Sequence, residues 1–129
     1  MPIHKQSTVI KSWLDHARSD FELACVKKTP KIHYEHLCFH AQQAAEKSVK
    51  ALLVSLYVEV PRTHDLAYVI DLLPESFVRP PHLLVLPVLT KYAVQFRYPG
   101  QETHVSRKEY LKAVELARLT LDWVNDLIK

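Results

Sequence analysis

The chain has 129 residues, of which 48% are apolar and 24% charged, and a formal charge of +3. That composition fills one core, so a single domain over 1–129 is expected, and the mild charge permits contact with nucleic acid without the dense basic stripe of a dedicated binder. The lone glycine, Gly100, argues against a β-rich fold, whose hairpins and bulges need residues at positive φ.

The periodicity predicts helices throughout. The first is expected from about Ser7 to Lys28, where Ile10, Leu14, Ala17, Phe21 and Ala24 recur at four-three spacing and Trp13 widens the face. Lys27 and Lys28 then fall in its last turn and Pro30 follows as a stop. A second helix, from about His33 to Val58, keeps the spacing through Cys38, Gln42, Ala45, Val49, Leu52 and Leu56, and its alanines permit close packing, so it should be central. Thr63 is expected to cap a short third helix from about His64 to Leu73, ended by Pro74. Pro80 and Pro81 open a fourth to about Phe96, with a kink or late start at Pro87. The last begins near Ser106, where Ser106-Arg107-Lys108-Glu109 matches a capping box, and carries the stripe Tyr110, Val114, Ala117, Leu121, Val124 and Ile128. Apolar-faced helices joined by proline-bounded turns make an all-α, up-down bundle of four to five helices.

Cys25 and Cys38 are too few for a disulfide framework. Without a secretory leader they read as free thiols in a reducing compartment, so a cytoplasmic protein is expected. Nothing has the length and apolarity of a membrane span. His33, His36 and His40 lie near Cys38, and the i,i+4 pair His36 and His40 shares a face. A metal site needs three or four converging ligands; no further one is evident, and neither metal nor cofactor is expected.

The second helix carries polar candidates, Gln43, Glu46, Lys47 and Lys50. Glu46 and Lys50 form a favourable i,i+4 pair, read either as a solvated helix face or as part of a binding site. Gln42 interrupts the apolar stripe and needs a partner on a neighbouring helix or across a dimer. Asp20 extends the row from Trp13 and Ala17; if it lies near the core it needs a cation, from Lys47 or Arg97, and otherwise it is an exposed edge residue.

Several stretches occur together. They are Trp13-Leu14-Asp15-His16-Ala17-Arg18-Ser19-Asp20-Phe21-Glu22-Leu23-Ala24, then Cys38-Phe39-His40-Ala41-Gln42-Gln43-Ala44-Ala45-Glu46-Lys47 with Lys50-Ala51-Leu52-Leu53, then Thr63-His64-Asp65-Leu66, and last Arg97-Tyr98-Pro99. In this order the chain resembles the HEPN family (higher eukaryotes and prokaryotes nucleotide-binding domain), above all its small stand-alone prokaryotic members, over nearly its whole length. The resemblance implies a helical bundle that forms a homodimer. It implies in many members a metal-independent endoribonuclease whose motif is arginine, four to six residues, then histidine, with two copies meeting in the dimer cleft. Some such members are toxins neutralised by a minimal nucleotidyltransferase; others are non-catalytic modules that bind a nucleotide or a partner.

Arg97 and His104 are separated by six intervening residues, at the upper limit of that spacing. Histidine moves protons at neutral pH, as attack by a 2′-hydroxyl requires. Arginine offers a planar, permanently charged fork to the phosphate. The expected catalytic residues are therefore Arg97 and His104, with Tyr98, Gln43, Glu46, Lys47, Lys50 and Asp20 as candidate contacts to RNA or a nucleotide. Against this, Pro99 and Gly100 break a common helical face, and Arg97 has a structural use near a helix C-terminus.

Overall fold

The computed structural model describes residues 3–94 and 104–128, with side chains from Gln6 onward at the N-terminal end. Three helices of equal length carry the fold: α1 (Ile3–Ala24), α2 (Tyr34–Ser55) and α6 (Arg107–Ile128), each 22 residues and therefore about 33 Å long. Between α2 and α6 lie short pieces, α3 (Leu66–Asp71), α4 (His82–Val85), a 3-10 turn (Leu86–Leu89) and α5 (Thr90–Val94). Among the described residues there is no strand, and no helix is long and apolar enough to cross a membrane.

α2 packs against both α1 and α6 and is the central helix. Its buried set includes Cys38, Ala41, Ala44, Ala45, Val49, Leu52 and Leu53, where small alanines let the neighbours approach. The directions follow from contacts at the ends. Gln6 Nε2 donates to the Val54 carbonyl, while Asp20 reaches His40, so α1 and α2 are antiparallel. Tyr110 Oη donates to the Ala24 carbonyl at 2.6 Å, so the start of α6 meets the end of α1. Val105 N donates to Glu35 Oε1, so α6 starts beside the start of α2. The chain thus runs up through α1, down through α2, back up through the broken leg of residues 56–94 and down again through α6. This is the all-α, up-down bundle the periodicity implies.

Several boundaries differ from expectation for local reasons. α1 begins at Ile3 rather than Ser7 and ends at Ala24, so Lys27 and Lys28 follow it instead of occupying its last turn. α2 ends in a reversal of a kind usually made with glycine: Tyr57 adopts φ 62°, Val58 N donates to Leu53 O and Tyr57 N to Val54 O. Asp65, not Thr63, caps α3 by accepting from Tyr68 N, and the Thr63 hydroxyl accepts from Asp65 N. The single fourth helix is in fact three segments: Pro87, lacking an amide proton, sits in the 3-10 turn that separates α4 from α5. Phe96, its expected end, lies outside the described residues. The capping box at α6 forms as read, with Glu109 N donating to Ser106 Oγ at 3.1 Å.

Two side chains tie down the broken leg. The Arg79 guanidinium donates to the carbonyls of Ile70, Leu73, Pro74 and Phe77, which closes the end of α3. Leu66 N donates to Thr90 Oγ1, joining α3 to α5. Below them Cys38 is fully buried, and burial pushes its thiol up to about 12, while Cys25 is exposed.

Candidate functional site

α2 carries a polar arc beside its apolar one. At 100° per residue, positions 40, 42, 43, 46, 47 and 50 fall on adjoining rows of the cylinder. The structure divides them into two clusters.

The first centres on Glu46, whose side chain is 3% exposed. Lys50 Nζ donates to Glu46 Oε2 at 2.8 Å and to the Thr63 carbonyl at 2.9 Å. Gln42 Nε2 donates to Glu46 Oε1 at 2.9 Å, and His64 Nδ1 meets the same oxygen at 2.9 Å. Gln43 Nε2 donates to Gln42 Oε1 at 2.6 Å, and the Lys50 ammonium stands 5.6 Å above the Trp13 ring. A buried carboxylate demands this: desolvating it without a cation and several donors would cost several kcal/mol. The Glu46–Lys50 pair anticipated from its spacing is therefore present, but buried under Trp13 and residues 63–64 instead of lying on a solvated face. Gln42 finds its partners on its own helix and in the loop before α3.

The second cluster joins α1 to α2. Asp20 is buried, and its carboxylate meets Lys47 Nζ at 2.6 Å and His40 Nδ1 at 3.0 Å. Of the two environments open to Asp20, the buried one is realised, and Lys47 is its cation. His40 is thereby a partner of Asp20, while the exposed His36 ring packs edge-on against His33.

His104 is exposed and stands just ahead of α6. Its neighbour Val105 is 1% exposed and hydrogen-bonded to Glu35, and Ser106 holds the capping box, so the backbone on its C-terminal side is fixed to α2 and α6. Glu46 lies 11 residues along α2 from Glu35, about 16 Å up the axis. Arg97 and Tyr98 lie outside the described residues. Of the expected residues, the structure thus brings together Gln43, Glu46 and Lys50 in one cluster and Asp20 with Lys47 in the other, and puts His104 at the end of the bundle.

Sequence reasoning passed over His64 and left His40 among possible metal ligands. Each is a carboxylate's partner contributed from far along the chain, 18 residues from Glu46 and 20 from Asp20. The available signal for His40 was its place on the row of Gln43 and Lys47, and for His64 its place in the Thr63-His64-Asp65-Leu66 stretch. Among the described residues no group of three or more metal-ligating side chains converges.

A model of the HEPN domain matches residues 10–127. Among solved structures, the chain is similar to TT1696 from Thermus thermophilus, with a TM-score of 0.78 and 29% identity over 91% of this chain and 96% of that one. It is also similar to ST0689, an archaeal HEPN homologue, with a TM-score of 0.70 and 29% identity over 93% of this chain and 98% of that one. No curated protein matches it. With the family model spanning almost all of α1 through α6, this chain belongs to the HEPN domain family.

Proposed function

We propose that the protein is a metal-independent endoribonuclease that works as a homodimer, with Arg97 holding phosphate and His104 moving protons. The observation that carries this reading is the exposed His104 imidazole, set on backbone anchored at Val105 and Ser106 and separated from Arg97 by six intervening residues. One copy's His104 takes the proton from a 2′-hydroxyl as the O2′–P bond forms. As the P–O5′ bond breaks, the protonated His104 of the second copy gives its proton to O5′, leaving a 2′,3′-cyclic phosphate and a 5′-hydroxyl. The Arg97 fork offsets the charge that builds on the non-bridging oxygens. A minimal nucleotidyltransferase partner would hold such an activity in check, which is the toxin–antitoxin form of the reading.

The test is cleavage of a structured RNA with chelator present. Wild type should cut and leave cyclic phosphate ends, and His104→Ala should lose about 10²-fold or more in rate. Cleavage unchanged in His104→Ala sinks the assignment, and light scattering that finds only monomer at micromolar concentration removes the composite cleft. If wild type leaves RNA intact but nucleotides raise its melting temperature, the domain is a binding module instead.

A further inference from the structure

Among the described side chains, the two ends of the bundle differ in charge. At one end the α1–α2 connection presents Lys27, Lys28 and Lys31, all exposed, and the start of α6 presents Arg107 and Lys108, also exposed. These pieces are held side by side. The Lys28 ammonium lies 4.7 Å over the Tyr34 ring, Tyr34 packs on Tyr110 with centroids 5.1 Å apart, and Tyr110 is bonded to Ala24. His33, His36 and His104 are exposed at the same end. Among the described residues the carboxylates there are Glu22, Glu35 and Glu109. Glu35 is largely covered and accepts from Val105 N, and Glu109 is engaged by Ser106. Both α2 and α6 also point their N-terminal, positive dipole ends this way.

The opposite end reverses the balance. Among the described side chains it carries Glu59, Asp71, Glu75 and Asp126, against Arg62 and an Arg79 already bound to four carbonyls. Among the described residues the cations at the His104 end show no comparable internal acceptors, Lys28 donating to the adjacent Thr29 carbonyl. A modest overall charge of +3 therefore conceals a local concentration.

We propose that Lys27, Lys28, Lys31, Arg107 and Lys108 form a binding surface for the phosphate backbone of single-stranded RNA, flanking His104 and separate from the arginine–histidine motif. The inference rests on the ribonuclease reading for its choice of RNA. A surface of this kind fixes the strand by charge and reads no sequence, so its signature is salt dependence.

The experiment measures anisotropy of a labelled single-stranded RNA across a salt series, using His104→Ala protein so that the probe stays intact. Two charge-matched variants are made in that background: Lys27→Gln with Lys28→Gln, and Lys11→Gln with Arg62→Gln, which are exposed residues elsewhere. The first should weaken binding several-fold and flatten the slope of log affinity against log salt by about 0.7 per lost contact, while the second leaves the slope unchanged. Equal effects from both pairs, or no effect from either, overturn the proposal. The two readings fail separately. If wild type cleaves RNA but the Lys27/Lys28 pair leaves the slope unchanged, the surface falls and the nuclease stands; if wild type never cleaves but that pair alone flattens the slope, the surface stands and the nuclease falls.

Discussion

Replacing Glu46 by alanine should be one of the most damaging single changes in this fold. The substitution removes the carboxylate that pairs with Lys50, whose side chain is 6% exposed. The ammonium keeps the Thr63 carbonyl and the Trp13 face, so it is not wholly abandoned. Breaking one side of a buried pair costs about 3–5 kcal/mol, and the remaining partners place this case near 3 kcal/mol. Lys50→Met leaves Glu46 with Gln42 and the half-exposed His64, which should hold the loss to about 2 kcal/mol. Combining Glu46→Ala with Lys50→Met strips out both charges together. What remains is the Gln42 amide without its best acceptor, a loss of about 1–2 kcal/mol. The double change should therefore be milder than Glu46→Ala alone and far from additive, with a coupling of about 2 kcal/mol or more. Urea unfolding followed by circular dichroism at fixed protein concentration measures all of this, the fixed concentration keeping any dimer equilibrium constant across variants. A loss below about 1 kcal/mol for Glu46→Ala, or additive single changes, would refute the reasoning.

Two further outcomes follow from local geometry. Tyr57 holds φ at 62° with its side chain exposed, so Tyr57→Gly should raise stability by about 1 kcal/mol in the same assay and Tyr57→Val should lower it; a glycine variant less stable than wild type contradicts the strain argument. His82 is a partly buried imidazole whose Nε2 has no hydrogen-bond partner among the described residues and whose ring packs edge-on to Trp123; burial lowers its pKa below the usual 6.5. The unfolded chain then binds the proton more readily, so this contribution to stability is full above pH 6.5 and is lost as pH falls through the lowered folded value. His82→Phe should flatten that acid limb in thermal melts from neutral to mildly acidic pH, and an unchanged limb assigns it to other groups.

What could be read from the chain divides by the reach of the interaction. The Ser106 capping box and the break at Pro87 were legible because each signal lies within a few residues of its effect. The central position of α2 was legible from periodicity and alanine content. The burial of Glu46 and Lys50 was not, because it is made by Trp13, Thr63 and His64, none of them on α2. The start of α1 was missed because the bond that holds the helix ahead of Ser7, from Gln6 to the Val54 carbonyl, comes from far along the chain, and its end was missed because the last turn closes well ahead of Pro30. Tyr57 escaped notice for the opposite reason: the left-handed position is ordinarily announced by glycine, and the one glycine here lies elsewhere.

The pairing of α2's polar arc bears on where chemistry can happen. A ligand that recruits Lys47 must first displace Asp20 from a 2.6 Å charge-assisted bond, and one that recruits Lys50 must displace Glu46 from a 2.8 Å bond in a dry setting. Breaking either leaves a buried carboxylate short of its cation, a cost of several kcal/mol set against binding. The exposed cations around His104 carry no such penalty; they exchange water and counterions for phosphate. The same residue types therefore do opposite work in two places. Along the middle of α2 they fix the register of α1 and of the loop before α3, and at the end of the bundle they remain free to meet a polyanion. On this argument Asp20, Glu46, Lys47 and Lys50 affect function by holding the helices that carry Val105 and His104 in place, and their replacement should lower stability before it alters any chemistry at His104.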